Sequence, residues 1–351
     1  MKRVRLNKIS SATHRVGIQK QALLTDQIIA EEGYIVAVRV MDRNDRYNKF
    51  EIVGGRLTTV YPGDIIAGVL GVRNALHGHA GDIPKSIKVG DQLHLLNMGG
   101  VIGRCYSSNP SLGSPIKVEV LGAVLSFPIV DSREGIPANI RMGALPIPET
   151  LTVPQPVIMI SGTSMNSGKT FAACEVVRVL SKQGLNTVVG KLTGVALQRD
   201  VLSMVDCGAK EALSFADVGF PSTNQDTAPL AAHAVLHSLA QHDTHKPDVI
   251  IAELGDGLLG PYGVHSILKN SGIRALKLIH IVCATDPVGV SGAQHIFSQL
   301  AMPITAFSGP VTDHAVGCSF IQSSTGSSAF NALTQGEQLG AEILRSIHFK
   351  N

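Results

Sequence analysis

The nine residues Gly162-Thr163-Ser164-Met165-Asn166-Ser167-Gly168-Lys169-Thr170 constrain this chain more than any other stretch. Glycines at both ends let the backbone wrap an anion with its N–H groups. A lysine can neutralise β- and γ-phosphates, and a hydroxyl can hold Mg²⁺. An apolar run, Val157 to Ile160, precedes the loop, and an amphipathic pattern from Thr170 to about Gln183 follows it. Strand, loop and helix N-terminus are the parts of a phosphate-binding loop, and the helix adds the positive end of its dipole. Five residues separate Gly162 from Gly168, one more than in the commonest form. The motif implies a nucleoside triphosphate, with Gly162, Thr163, Ser164, Asn166, Ser167, Gly168, Lys169 and Thr170 as its binding residues.

Beyond the loop the pattern alternates. Thr187–Lys191, 248–254, 277–285 and 303–307 read as strands separated by helical stretches. Such alternation predicts an α/β domain, a mostly parallel sheet with helices on both faces. Ligands then bind beyond the carboxyl ends of the strands. Gly184 is expected to end the first helix in a left-handed conformation.

Four prolines in LPIPETLTVPQP, residues 145–156, favour extended backbone and place a linker there. Before it, 34–41, 49–61, 64–72, 91–98 and 117–127 are short apolar or alternating runs bounded by turn residues. They predict a β-rich domain over 1–144, a barrel or a sandwich. The nucleotide-binding α/β domain is assigned to 157–351.

Composition removes several classes of function. Of 351 residues 44% are apolar and 16% charged, with a formal charge of +3. Neither a nucleic-acid footprint nor a polybasic membrane patch is present, and with no Trp a stacking platform for single strands is absent. The basic N-terminus precedes no apolar run, so no secretory signal is read. Five scattered cysteines without CxxC spacing fit a cytoplasmic protein.

The longer loop, GT-x4-GKT, resembles that of dethiobiotin synthetase, and the likeness continues through GTSMNSGKTFAACEVVRVLSKQGLNTVVGKLTG. It covers roughly 156 to 310 and is shared with cobyrinic-acid amidation enzymes and the synthetase domain of CTP synthase. Lys191 stands at that family's second lysine, which helps bind substrate and the transferred phosphoryl group. DVIIAELGDG aligns Glu253 with a Mg²⁺-binding glutamate, and Asp206, in preference to Asp200, is the candidate for the family's metal-binding aspartate. Lys169 and Lys191 would then be catalytic, with Thr170, Asp206 and Glu253 around the metal. Gly309 and Pro310, after a late strand, correspond to a loop that holds the nucleotide base. Leu-Thr-Gly after Lys191, and ELGDG for EGAGG, depart from dethiobiotin synthetase and imply a differently shaped substrate pocket.

The expectation is an ATP- and Mg²⁺-dependent ligase, synthetase or kinase acting on a small molecule, a homodimer by analogy, with no nucleic-acid or membrane partner. Two alternatives stand beside it: a nucleotide switch or metallochaperone-type NTPase, and an acyltransferase-like enzyme on the same scaffold. Thr285-Asp286-Pro287 and Phe220-Pro221-Ser222-Thr223 are secondary pocket candidates, each equally readable as turn or cap. His77 and His79 lack a third metal ligand, whereas Arg73, Asn74 and His77 could meet an anionic substrate.

Overall fold

The computed structural model describes residues 1–128, 134–242, 244 and 246–349. The chain divides into two compact units. One comprises Met1–Leu145 with Val195–Arg199 and Ala216–Ser222; the other comprises Pro146–Gly194, Asp200–Phe215 and Thr223–Asn351. Residues 145–156 contain no strand or helix.

The first unit is β-rich. Strand Ile116–Ser126 pairs with Ile35–Val40, which pairs with Ile65–Leu70, which runs parallel to Val101–Ser108. Gln92–Leu95 pairs both with Val101–Ser108 and with Ile116–Ser126. The five pairings close on themselves, so this unit contains a small barrel, the closure that removes exposed strand edges. Alternation explains its filling: Val36, Val38 and Val40, with Val118 and Val120, point to one face and form the core with Phe50, Ile66, Leu70 and Ile102. The expected strand over 49–61 is two short strands, Lys49–Glu51 and Leu57–Thr59, because Gly54 and Gly55 take positive φ and turn the chain between them.

In the second unit the strands are β1 (Val157–Gly162), β2 (Thr187–Thr193), β3 (Glu211–Ser214), β4 (Val249–Leu254), β5 (Leu278–Cys283), β6 (Ala306–Ser308) and β7 (Ser328–Ala329). The helices are α1 (Lys169–Lys182), α2 (Arg199–Asp206), α3 (Thr227–Ala240), α4 (Val264–Lys269), α5 (Ser271–Arg274), α6 (Pro287–Gln299), α7 (Ala315–Thr325) and α8 (Gly336–Phe349). The sheet order is β3-β2-β4-β1-β5-β6-β7, every neighbour parallel. The strands β1, β2, β4 and β5 are buried along their whole length, as a sheet covered on both faces requires. Ala172, Ala173, Val176, Val177 and Leu180 of α1 pack with Leu339 and Ile343 of α8 in one core. Gly184, with φ +87°, follows α1 as its left-handed stop. Among the described residues no helix is long and apolar enough to cross a membrane.

Candidate nucleotide site

Strand β1 is central, so the loop leaving its carboxyl end lies between the ends of β4 and β5. Register sets the neighbours: Ile160 lies opposite Glu253 of β4, and Glu253 lies opposite Lys191 of β2. One row of the sheet therefore carries a lysine and a carboxylate to the foot of the loop.

The loop is shaped by small residues. A Cβ on Gly162 would lie 2.1 Å from Ser167 Oγ and 3.0 Å from the Lys169 stem, so only glycine leaves room for both. Gly168 has φ +89°, a conformation costly for other residues. Ser167 is buried and its hydroxyl donates to Ser164 O at 2.9 Å. Thr163 N donates to Cys283 O at 2.9 Å, which anchors the loop to β5. Among the described residues no group accepts from the N–H groups of Ser164 to Gly168. Unused donors in a glycine-bounded turn at a helix N-terminus form an anion cradle.

Lys169 is 4% exposed and its ammonium donates to Ser164 O at 2.8 Å and Met165 O at 3.2 Å. Its side chain therefore curls back beneath the loop. Burial lowers its pKa; Glu253, Cys283 and Asp256 oppose that shift, and the Lys191 charge adds to it. Two lysines close enough to repel leave a locus that favours a multiply charged anion. Lys191, also buried, forms an ion pair with Asp200 and has its Nζ 3.9 Å from Glu253 Oε1. Burial raises the Glu253 pKa, while Lys191, Lys169 and the Thr170 hydroxyl pull it down.

Glu253 Oε2 is buried and has no hydrogen-bond partner. Such an oxygen is expensive unless a cation or donor meets it. With the Thr170 hydroxyl beside it, the pair offers hard oxygen donors of the kind Mg²⁺ takes, together with waters and phosphate oxygens. No group of three or more His, Cys, Asp or Glu side chains is placed to hold a metal by itself among the described residues. The donor set thus fits an ion that arrives with a phosphate.

Asp206 is not brought to this cluster. It is the exposed last residue of α2, whereas Asp200, in the first turn, bonds Lys191. Six residues correspond to about 120° around a helix, so the two carboxylates face different ways. The sequence order could not separate them; the helix start at Arg199 does.

The segment after β4 completes the wall. Leu258 N donates to Gly162 O at 2.8 Å, and a Cβ on Gly257 would lie 2.8 Å from Thr163 O. Asp256 is buried, has φ +82°, and contributes to the field at Lys169. Backbone outliers of this kind cluster where a site needs them. In the ELGDG segment Gly257 permits close packing on the loop and Gly255 on Thr193 of β2, requirements visible only once these segments are seen to touch. Gly309, with φ +89°, packs behind the loop: its Cβ would lie 2.4 Å from Ser167 O. Pro310 begins a 3₁₀ turn whose Val311 N donates to Ala284 O. Gly309 therefore buttresses the loop directly, while the turn that Pro310 begins is tied to the end of β5.

The secondary candidates resolve differently. Asp286 accepts from Gly289 N at 2.8 Å as the N-cap of α6, and that bond holds its carboxyl below the usual range. Thr285 N donates to Thr163 Oγ1 at 3.3 Å, so the Thr-Asp pair ties the loop to α6. Thr223 accepts from Gly194 N and donates to Tyr262 O, and Ser222 donates to Val72 O. These hydroxyls serve the backbone.

No family model and no curated protein matches this chain. Among solved structures it is similar to a DUF1611 family protein from Anabaena variabilis, with 14% identity and a TM-score of 0.42, over 60% of this chain and 64% of that one. It is also similar to the signal recognition particle receptor FtsY from Elizabethkingia anophelis, at 15% identity and TM-score 0.37, over 57% and 68% of the two chains. A third is the signal recognition particle 54 kDa protein from Aeropyrum pernix in complex with GDP, at 15% and 0.38, over 56% and 47%. The chain thus spans less than two thirds of the first and third of these. The likenesses are distant. The chain's own strand order, loop and helix define its class, a parallel α/β fold with a P-loop joined to a β-rich unit.

Proposed function

We propose that the chain binds a nucleoside triphosphate with Mg²⁺ on the 162–170 loop and cleaves its γ-phosphate. The observation that carries this reading is the convergence of Lys169, Lys191, Thr170 and Glu253 beneath a loop whose N–H groups are unused. Bound Mg²⁺ would neutralise charge on the phosphate oxygens. Thr170 and Glu253 are the residues to hold it. Lys169 lies within the loop to meet β- and γ-oxygens, and Lys191 meets the transferred group. Phosphoryl transfer asks for positioning and charge neutralisation, and these groups provide both without a covalent intermediate. Asp200 acts through Lys191, holding its ammonium at the strand end, and is a positioning residue. Ser164, Asn166, Ser167 and Gly168 supply unused backbone N–H groups to the phosphates, Gly162 and Thr163 anchor the loop, and Gly309 and Pro310 support it.

Two outputs fit such a site. The resemblance to dethiobiotin synthetase favours transfer to a small molecule, in a ligase, synthetase or kinase. The switch reading has support of its own in connectivity. After β2 the chain contributes Val195–Arg199 to the β-rich unit and returns at Asp200. In that unit Glu51 accepts from Gln198 N and Arg199 N, both at 2.7 Å. A nucleotide-linked change at Lys191 and Asp200 would thus pass along the polypeptide into those residues.

Phosphate release separates the two outputs. ATP, GTP and CTP are offered with Mg²⁺, alone and with a panel of carboxylates, carbamates and alcohols. All three nucleotides enter the first round because the groups described meet phosphate and metal rather than the base. Release that needs a small molecule supports transfer. Slow release without one, with changed amide exchange at 195–199 between tri- and diphosphate, supports the switch. No release with any nucleotide, native protein and Lys191→Ala alike, contradicts cleavage.

A further inference from the structure

The β-rich unit contains a buried cation that the phosphate loop does not use. Arg73 follows strand Ile65–Leu70, and its backbone is fixed by reciprocal bonds with Gly81, both 2.9 Å. Its side chain is only 5% exposed. Nη1 donates to Leu96 O, whereas Nε is buried without a partner. Among the described residues no carboxylate forms an ion pair with it. A buried guanidinium lacking a counter-charge is costly, and proteins retain such groups where something negative comes to meet them.

The surroundings narrow the choice. Gly78 lies against the guanidinium: a Cβ there would sit 2.6 Å from Nη2 and 2.8 Å from Cζ. His79 is fully buried, its Nδ1 is 3.0 Å from Ser108 Oγ, and its Nε2 has no partner. Burial, with the Arg73 and His94 charges, pushes its pKa down to about 4, so the ring is neutral at neutral pH. Arg73 is the larger of the two charges acting on this ring, ahead of His94, and one negative charge balances the guanidinium. Asn74, next in the chain, is exposed, as are His77 and Tyr106, and the Tyr106 hydroxyl donates to Asn74 Oδ1 at 3.0 Å.

We propose that Arg73, with Gly78, His79 and the Asn74–Tyr106 pair around it, forms a binding site for the carboxylate of a small molecule. A planar guanidinium edge matches a planar carboxylate, and one guanidinium without an acidic partner calls for one negative charge. This site stands independently of the nucleotide reading, and its test contains no nucleotide.

The full-length protein is titrated calorimetrically with short mono- and dicarboxylates, with their amides, and with inorganic phosphate. The expected result is binding of one or more carboxylates and not of the matching amides. Arg73→Lys weakens that binding tenfold or more, and Arg73→Met abolishes it. Circular dichroism identifies any variant that fails to fold. The comparison of carboxylate with amide on the native protein needs no variant. Binding unchanged in a folded Arg73→Met protein, phosphate bound as tightly as the carboxylates, or no binding by any carboxylate would each overturn the proposal.

Discussion

At Lys191 the ammonium lies between two carboxylates, paired with Asp200 and 3.9 Å from Glu253 Oε1. Asp200 is the partly exposed member, while Glu253 is 2% exposed. Removing the Asp200 charge takes away the nearer of these two carboxylates and lets the ammonium shift toward Glu253. Asp200→Asn is therefore expected to slow phosphate release roughly tenfold or more, with nucleotide affinity little changed. Asp206→Asn, on the exposed side of α2, leaves it within about twofold. Equal losses in both variants would remove Asp200 from its positioning role. Lys169 and Thr170 were read from the glycine turn and Lys191 and Glu253 from the resemblance to dethiobiotin synthetase, whereas their proximity at one end of the sheet is visible only in the fold. The choice between Asp200 and Asp206 was not legible, since both follow β2 and only the phase of α2 distinguishes them.

At the scale of elements, the loop depends on two glycine-bearing segments distant in sequence. Gly309 combines positive φ with a Cβ position 2.4 Å from Ser167 O, and its neighbour there is backbone, which cannot swing away. Gly309→Ala is expected to cost about 2 kcal/mol and to weaken nucleotide binding with it. Thermal unfolding and nucleotide titration of the variant check both halves. Asp286→Ala is the contrasting case: loss of the α6 cap costs about 1 kcal/mol and leaves phosphate release intact. A large fall in release would show that Asp286 does more than cap the helix.

The alternation of strand and helix after residue 157 was readable because buried parallel strands are continuous apolar runs. In the first unit, 34–41 and 64–72 showed apolar runs and became Ile35–Val40 and Ile65–Leu70. The strand Val101–Ser108 was not recognised, since its outer half, Arg104 to Ser108, is polar and largely exposed. It is also the strand that closes the barrel, so closure itself was invisible. Arg73 was noticed as a candidate anion ligand, but its burial without a counter-charge belongs to the fold alone.

At the scale of the whole molecule, the β-rich unit takes in two segments from the middle of the chain, and Ala216–Ser222 carries a buried carboxylate paired with two cationic side chains. Asp217 accepts from His14 Nε2 at 2.8 Å and from Arg15 Nε at 2.5 Å. Burial opposes ionisation, but these two partners outweigh it and lower the carboxyl from 3.8 to about 2. A depressed folded pKa contributes stability that is present above pH 3.8 and lost as pH falls toward 2. The contribution is about 2 kcal/mol. Unfolding followed from pH 6 to pH 2 should show this loss in the native chain and a shallower one in Asp217→Asn, which is already weaker at pH 6. Parallel profiles would mean that the cluster does not stabilise the unit.

The central claim is that the 162–170 loop holds a nucleoside triphosphate. It is tested most directly by calorimetric titration of the full-length protein with Mg²⁺ and non-hydrolysable ATP, GTP and CTP analogues, beside Lys169→Ala. Micromolar binding of at least one analogue, lost in the folded variant, is the predicted result. Absence of binding by all three, or binding that survives the loss of Lys169 undiminished, would contradict it.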